Sequence, residues 1–128
     1  MRAIVATAEG TWTVDLETEE AAEAEEEPIE THAVATGLPR VVASARAGST
    51  VAAVVAARPP LLVSHDGGRT WREAGRGLPP GFAVAVSEEC PDLILFAARN
   101  RLYLSRDGGR FWRALRPELP DIAAVALA

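Results

Sequence analysis

The sequence predicts an all-β protein built from three repeated units, each of four short antiparallel strands. An eight-residue motif, Ser-x-Asp-Gly-Gly-Arg-x-Trp, occurs at 64–71 and again, 41 positions later, at 105–112. A Leu-Pro pair recurs with nearly the same spacing, beginning at Leu38, Leu78 and Leu119. Between these landmarks lie short runs rich in Val, Ile and Ala and bounded by Gly and Pro, which favours strands over helices. A fixed period of roughly 40 residues indicates a repeat architecture.

The repeats divide the 128-residue chain, a single domain, into units of the length found in the four-stranded blades of a β-propeller. The first unit keeps only a hydroxyl-x-Asp remnant of the motif at 13–15 and carries an acidic insertion, which we expect to be an elongated hairpin. The chain opens with the second strand of one blade and closes with the first strand of another. The expected boundaries are 1–36 for the first blade with its insertion at 16–28, 39–77 for the second, 79–118 for the third and 121–128 for the closing strand.

The motif contains the residues of a tight hairpin turn. Its Asp can accept hydrogen bonds from backbone amides a few residues later, and its glycines can take positive φ angles. Its Trp returns to a strand, where it can pack on a neighbouring sheet. Catalytic roles for Asp66 and Asp107 are the alternative, but turn chemistry already accounts for both carboxylates, so we predict no catalytic residue. The predicted structural residues are Ser64, Asp66, Gly68 and Trp71 in the first copy and Ser105, Asp107, Gly109 and Trp112 in the second.

The motif resembles the Asp-box, or bacterial neuraminidase repeat, of a β-propeller superfamily that includes sialidases, sortilin-type receptors and photosystem II assembly factors. The resemblance implies motifs that lie away from the ligand face, in either an enzyme or a binding scaffold. Sialidases of this superfamily use an arginine triad, a tyrosine nucleophile with a glutamate partner, and an acid/base aspartate. The one tyrosine of this chain, Tyr103, falls in a predicted third strand away from the axis. We therefore predict a non-catalytic scaffold or binding module, with a glycoside hydrolase of the sialidase-like group as the alternative.

Three blades are fewer than the about four to eight that close a propeller. An open arc leaves sheet edges that invite pairing with another chain. We predict that two identical chains join head to tail into a six-bladed ring, with Ile122–Ala128 of each chain paired with Ala3–Thr7 of the other. Two alternatives stay open: the chain is half of a longer propeller, or it pairs with a different three-bladed protein.

Arginines recur in the loops expected around the axis at one face of the propeller. The arginine fork binds carboxylate and phosphate groups in a bidentate manner, so we predict an anionic small molecule or a protein segment as the ligand. Ordinary solvated loop charge is the alternative. The candidate ligand-binding residues are Arg40, Arg58, Arg76, Arg99, Arg101 and Arg116.

The charge of the chain is unevenly distributed. The net charge is −5, yet residues 15–30 hold nine acids and no base. We expect this acidic tract to be a solvated loop or a short Ala/Glu helix over 19–27. A divalent-cation site and a contact with basic loops of a partner chain are the alternatives. The acidity, together with the lack of aromatic residues interleaved with bases, argues against nucleic acid binding.

The remaining chemistry-bearing residues predict no cofactor and no metal site. Cys90 is the only cysteine, so no intrachain disulfide can form, and we expect it to be a small buried filler. His32 and His65 lack the spacing of metal ligands. The apolar runs are too short to span a membrane and the first residues lack the shape of a signal peptide, which predicts a cytoplasmic protein. The absence of lysine and glutamine points to a GC-rich bacterial genome.

Overall fold

The computed structural model describes residues 1–25, 29 and 34–128. Within these residues the chain is all β, as the sequence predicts, because short runs of β-branched and small apolar residues alternate with glycine-rich turns. No helix in this part of the chain has the length and apolarity needed to cross a bilayer. The strands are β1 (Arg2–Thr7), β2 (Gly10–Asp15), β3 (Ala21–Ala24), β4 (Val41–Ala47), β5 (Thr50–Val55), β6 (Leu61–Ser64), β7 (Arg72–Ala74), β8 (Ala83–Val86), β9 (Ile94–Ala97), β10 (Arg101–Ser105), β11 (Arg113–Glu118) and β12 (Ile122–Leu127).

The strands of the described chain form three sheets of four antiparallel strands. Sheet A has the order β12-β1-β2-β3, sheet B the order β4-β5-β6-β7, and sheet C the order β8-β9-β10-β11. Sheets B and C are meanders of consecutive strands, and in each of them one copy of the motif forms the turn from the third strand to the fourth. The three predicted four-stranded sheets are confirmed. They form an arc of propeller-like blades and not a closed ring.

Sheet C lies between the other two sheets, and both of its faces are buried. Successive side chains of a strand point to opposite faces of the sheet. In β9, Leu95 and Ala97 therefore pack against sheet A, while Ile94 and Phe96 pack against sheet B. The spatial order of the sheets is thus A–C–B, whereas their order along the chain is A–B–C.

The last strand completes sheet A of its own chain. β12 pairs antiparallel with β1, so that Ala3 lies opposite Leu127. Beyond this pair the amide of Ala128 donates to the carbonyl of Arg2 at 3.0 Å. The expectation that a lone chain leaves the edge of β1 bare is therefore wrong. After β11 the segment 119–121 passes the β9–β10 turn, where the amides of Leu119 and Ile122 donate to the carbonyls of Asn100 and Arg99 at 2.9 and 2.7 Å, and it leads directly into β12. Pairing with a second chain stays a prediction.

The acidic tract begins with a turn and a strand where we expected a loop or a helix. The turn at 16–20 reverses the chain, and β3 then pairs with β2 along its whole length. The helix expected over 19–27 is wrong for the described residues 19–25, because the free edge of β2 offers their backbone groups hydrogen-bond partners. The fourth strand expected near 29–34 falls mostly outside the described residues, and the structure has the fourth strand of sheet A earlier, at β3.

Candidate functional site

The first motif closes the β6–β7 turn with a network centred on two side chains. Ser64 is buried at the end of β6, and its hydroxyl donates to Oδ1 of Asp66 at 2.7 Å and accepts the amide of Gly68 at 2.8 Å. Oδ1 of Asp66 also accepts the amides of Arg69 and Thr70, at 3.1 and 2.9 Å. Oδ2 accepts the hydroxyl of Thr70 at 2.6 Å. The loop donors therefore converge on one carboxylate and one hydroxyl.

The second motif builds a corresponding network, with fewer hydrogen bonds, at the β10–β11 turn. The Ser105 hydroxyl donates to Oδ1 of Asp107 at 2.8 Å and accepts the amide of Gly109 at 2.8 Å. Oδ1 of Asp107 accepts the amide of Phe111 at 3.0 Å. Trp112 then donates from Nε1 to the carbonyl of Gly109 at 3.1 Å, which ties the returning strand to the turn. The second copy lacks the hydroxyl of Thr70, so its aspartate accepts one hydrogen bond fewer from a side chain.

Gly109 shows why the motif needs glycine at its second glycine position. Its φ is +93°, a region that side-chain-bearing residues rarely adopt. A Cβ atom added there would lie 3.2 Å from Cβ of Ala74 and 3.4 Å from Cγ2 of Val63, both in sheet B. The turn of sheet C therefore approaches sheet B so closely that a side chain at this position would press against Ala74 and Val63.

Hydrogen bonds keep both motif carboxylates ionised. The hydroxyl and the amide of Thr70 hold the pKa of Asp66 far below its usual range. The amide of Phe111, followed by the hydroxyl of Ser105, lowers the pKa of Asp107. A general acid must carry a proton at the working pH, so neither carboxyl group suits that role at neutral pH. Both are engaged in closing their turns.

The arginine that follows each motif tryptophan contacts the next sheet. Arg72 donates from Nη2 to the carbonyl of Gly108, in the turn of the second motif, at 2.9 Å. Arg113 forms an ion pair with Glu19, in the turn of sheet A. Because Arg72 and Arg113 occupy the same place in the repeat, an arginine at this position ties sheet B to sheet C and another ties sheet C to sheet A, the first through a backbone carbonyl and the second through a carboxylate.

Glu19 is buried, with 7% of its surface exposed, although it belongs to the acidic tract. Its Oε1 accepts the backbone amide of Arg116 at 2.8 Å, and its Oε2 accepts Nη2 of Arg113. The side chain of Arg116 also donates to the carbonyl of Thr18 at 3.1 Å. We call this contact of Glu19 with Arg113 and the amide of Arg116 the clamp. Sequence reasoning missed the clamp, because nothing in a run of glutamates distinguishes the one whose side chain is buried.

Three of the six arginines predicted to bind a ligand make contacts within the chain. Arg99 pairs with Asp121 at 3.0 Å. Arg101 donates from Nε to the carbonyl of Leu115 at 2.9 Å. Arg116 lies in β11, the outermost strand of sheet C, and contacts the turn of sheet A. The placement of Arg116 in an axial loop is therefore wrong, because β11 extends through this position.

The other three arginines lie at one end of sheet B. Arg40 directly precedes β4, Arg58 lies in the β5–β6 turn, and Arg76 follows β7. In an antiparallel sheet these points fall at the same end, and the amide of Ala56 donates to the carbonyl of Arg40 at 3.0 Å. All three arginines are exposed. Their guanidinium groups are accessible to a partner in solution.

A groove of about 1280 Å³ lies at the opposite end of the inner strands. The carboxyl ends of β4, β8 and β12 line it, and its charged lining includes Arg46, Glu88 and Glu89. Apolar side chains such as Val84 and Leu127 complete the lining. None of the six predicted arginines lines this groove. The groove and the arginines that we expected to surround it therefore lie apart.

The other candidate residues are placed as follows. Cys90, expected to be buried, is exposed because it lies in the β8–β9 turn. His65 is exposed and His32 lies outside the described residues. The described residues contain no group of His, Cys, Asp and Glu that could hold a metal ion. Tyr103 is half-buried and packs edge-on against Phe96, with ring centroids 6.1 Å apart.

Comparisons with known proteins support the fold alone. No protein-family model matches the chain, and no curated protein matches it. Among solved structures, it is similar to a GH74 enzyme of Niastella koreensis, with 20% sequence identity and a TM-score of 0.53. The match covers 96% of this chain and 19% of that enzyme, so the chain spans about a fifth of the length of its structural neighbour. The likeness, together with the three four-stranded sheets, defines a β-propeller-like fold.

Proposed function

We propose that the chain is a non-catalytic β-propeller-like binding module. Its ligand is a carboxylate-rich protein segment or a small anion, held by Arg40, Arg58 and Arg76. The observation that carries the proposal is the common position of these three exposed arginines at one end of sheet B. Guanidinium groups bind carboxylates through paired hydrogen bonds, and three of them on one sheet end can engage several carboxylates of one segment.

The use of the other reactive groups supports a non-catalytic role. Asp66 and Asp107 are occupied by the donors of their own turns. Tyr103 packs against Phe96 in the core between sheets B and C. Hydrolysis of a glycoside requires two carboxyl groups about 5–10 Å apart across a substrate cleft, one of which must carry a proton. The motif carboxylates do not meet the second requirement, because each is ionised and hydrogen-bonded within its own hairpin turn.

A binding titration tests the proposal directly. The probe is a fluorescein-labelled decapeptide of glutamate, followed by fluorescence anisotropy at low and at physiological salt. We expect the triple variant R40Q/R58Q/R76Q to bind at least about tenfold more weakly than the unmodified chain, and added salt to weaken the unmodified chain as well. Citrate added as a competitor distinguishes a site for small anions from one that needs an extended segment.

The matched control removes the same charge from elsewhere on the molecule. R2Q/R69Q/R110Q also loses three exposed arginines, two of them in the motif turns. We expect this variant to change the affinity by no more than about twofold, because only long-range electrostatics is altered. Equal losses in both triple variants would show that net charge, and no particular site, attracts the peptide, and would overturn the proposal.

The hydrolase alternative has its own assay. Incubation with fluorogenic sialosides and other aryl glycosides should release no fluorophore above the buffer rate. Turnover that disappears in Y103F or R40Q would replace the proposed binding role with an enzymatic one.

A further inference from the structure

The order of the sheets in space differs from their order along the chain. Sheets A and B are consecutive in sequence, yet they pack on opposite faces of sheet C and share no core cluster among the described residues. Consecutive elements usually lie side by side. The segments 75–82 and 119–121 obey this rule, because each joins two sheets in direct contact. The segment 25–40 does not, because it joins the two outer sheets.

Both outer sheets carry apolar residues on the face turned away from sheet C. In β5, Ala52 and Val54 belong to the core with sheet C, whereas Val51 and Val55 alternate with them and point to the other face. In β1, Ile4 likewise alternates with the core residues Ala3 and Val5 and points away from sheet C. Polar residues normally fill a sheet face that meets solvent, and apolar residues on both faces are typical of a sheet that packs on both sides.

The described end of the segment 25–40 lies beside this second face of sheet B. The amide of Val34 donates to the hydroxyl of Ser44 at 3.2 Å, and Ser44 alternates with Ala43 and Ala45, which belong to the core with sheet C. Val34 therefore lies against the face on which a neighbouring blade would pack in a ring. If the described residues 34–40 move away from sheet B, its second face becomes available to a sheet.

We propose that two copies of this chain exchange residues 1–24 and close a ring of six sheets. β12 of each copy then pairs with β1 of the other in the register seen within one chain. The core between sheets A and C is kept, but it now joins two copies. The segment 25–40 becomes a connection between adjacent sheets, and sheet A packs on the second face of sheet B. Exchange of an identical element is a low-cost route to a dimer, because the same strand pairing and the same core form again between the two chains.

The occupant is a second copy because the chain itself supplies both complementary surfaces. The edge of β1 already fits β12, as Ala6 lies opposite Ala124 and Ile4 opposite Ala126. The exchange adds an interface between sheets A and B, which share no core cluster among the described residues of one copy. The association becomes favourable when this interface outweighs the restricted freedom of the second chain, so the dimer should gain population as the protein concentration rises.

Light scattering and a cross-strand disulfide test the exchange together. The unmodified chain, after refolding at high concentration, should show twice the 13.6 kDa mass of one chain. The variant A6C/A124C in a C90A background places two thiols on facing residues of β1 and β12. Facing residues of antiparallel strands are about 4.5–5.5 Å apart at Cα, a distance that a disulfide can span. Oxidation should give a covalent dimer on a non-reducing gel.

A mixing experiment provides the control. Chains with A6C/C90A and chains with A124C/C90A are unfolded, mixed, refolded and oxidised. The exchange predicts a mixed covalent dimer, and A6C/C90A mixed with unmodified C90A should give none at this position. A double variant that closes its disulfide within one chain overturns the exchange, whether the mass is that of one chain or of two. A mass beyond two chains overturns the closed ring, and a monomeric mass at every concentration overturns the dimer.

Discussion

The turns that join the third and fourth strands of the three sheets are stabilised in two different ways. In sheets B and C the turn is held from within, since a buried serine and an ionised aspartate satisfy the loop amides and two glycines take positive φ angles. In sheet A the turn lacks the serine and the glycines but keeps the aspartate, Asp15, whose Oδ1 accepts the amides of Glu17 and Thr18 at 2.8 and 2.9 Å. The left-handed position is taken by Glu19, at φ 61°, and not by glycine.

The difference lies in where the stabilising partner comes from. The glutamate that takes the left-handed position in sheet A also reaches sheet C, where it binds Arg113 and the amide of Arg116. A turn that lacks the local motif is thus held by a contact between residues about a hundred positions apart in sequence. The long-range contact of Glu19 thus adds to the local hydrogen bonds of Asp15, and the turn of sheet A depends on its packing against sheet C.

The largest effect is expected from removal of the clamp. Glu19→Ala should lower the free energy of unfolding by about 2–3 kcal/mol, because it leaves the part-buried amide of Arg116 and the guanidinium of Arg113 without their acceptor. Urea denaturation measures the loss. Glu17→Ala, in the same turn but exposed, is the matched control and should stay within about 0.5 kcal/mol. Equal values for the two variants would contradict the clamp.

The motif serines should come next. Ser105→Ala and Ser64→Ala should each cost about 1–3 kcal/mol, since each removes a buried hydroxyl that accepts a glycine amide and donates to the aspartate. Ser49→Ala, at an exposed serine of the β4–β5 turn, serves as the control in the same denaturation series. A cost as small as that of the control would show that the two turns do not depend on their local networks.

A smaller effect separates backbone conformation from steric contact. Gly109→Ala should destabilise the protein by about 1–2 kcal/mol through its positive φ, with a further cost from the contact with Ala74. Gly77→Ala has a similar φ of +87° but no atom within 4 Å of the new Cβ. The difference between the two thermal midpoints measures the close approach of sheets B and C. A larger loss in Gly77→Ala would refute that approach.

The smallest effect on stability is expected from a decrease in pH. The pKa values of Asp66, Asp107 and Asp15 are lowered by hydrogen bonds of the folded turns. The unfolded chain therefore binds more protons in acid, so the stabilisation is complete above the ordinary aspartate pKa of about 4 and is lost as the pH falls below it. Urea midpoints between pH 6 and pH 2.5 should decrease, and Asp66→Asn should flatten the decrease more than Glu17→Gln. If the urea midpoints of Asp66→Asn decreased with pH as much as those of the unmodified chain, the pH dependence could not be assigned to Asp66.

Much of the fold could be predicted because its signals are local. The motif residues from Ser64 to Trp71 define a turn by their own chemistry, and the spacing of the second copy fixes the repeat. Alternation of small apolar residues predicts the strands of sheets B and C. The candidate site was harder to predict from the sequence, because whether an arginine is exposed or paired depends on which residues the fold places next to it. Arg99 and Arg101 look alike in sequence to Arg58, yet they contact Asp121 and Leu115.

The sequence by itself determined the all-β class, the repeat and the hairpin turns, because these follow from hydrogen bonds and φ angles within a few residues. Tertiary structure alone decided that sheet C lies between sheets A and B, that β12 completes the sheet of its own chain, and that Glu19 folds inward. These outcomes depend on which apolar faces meet and which charged groups are buried between them. Contacts of that kind join residues far apart in sequence, and no local pattern records them.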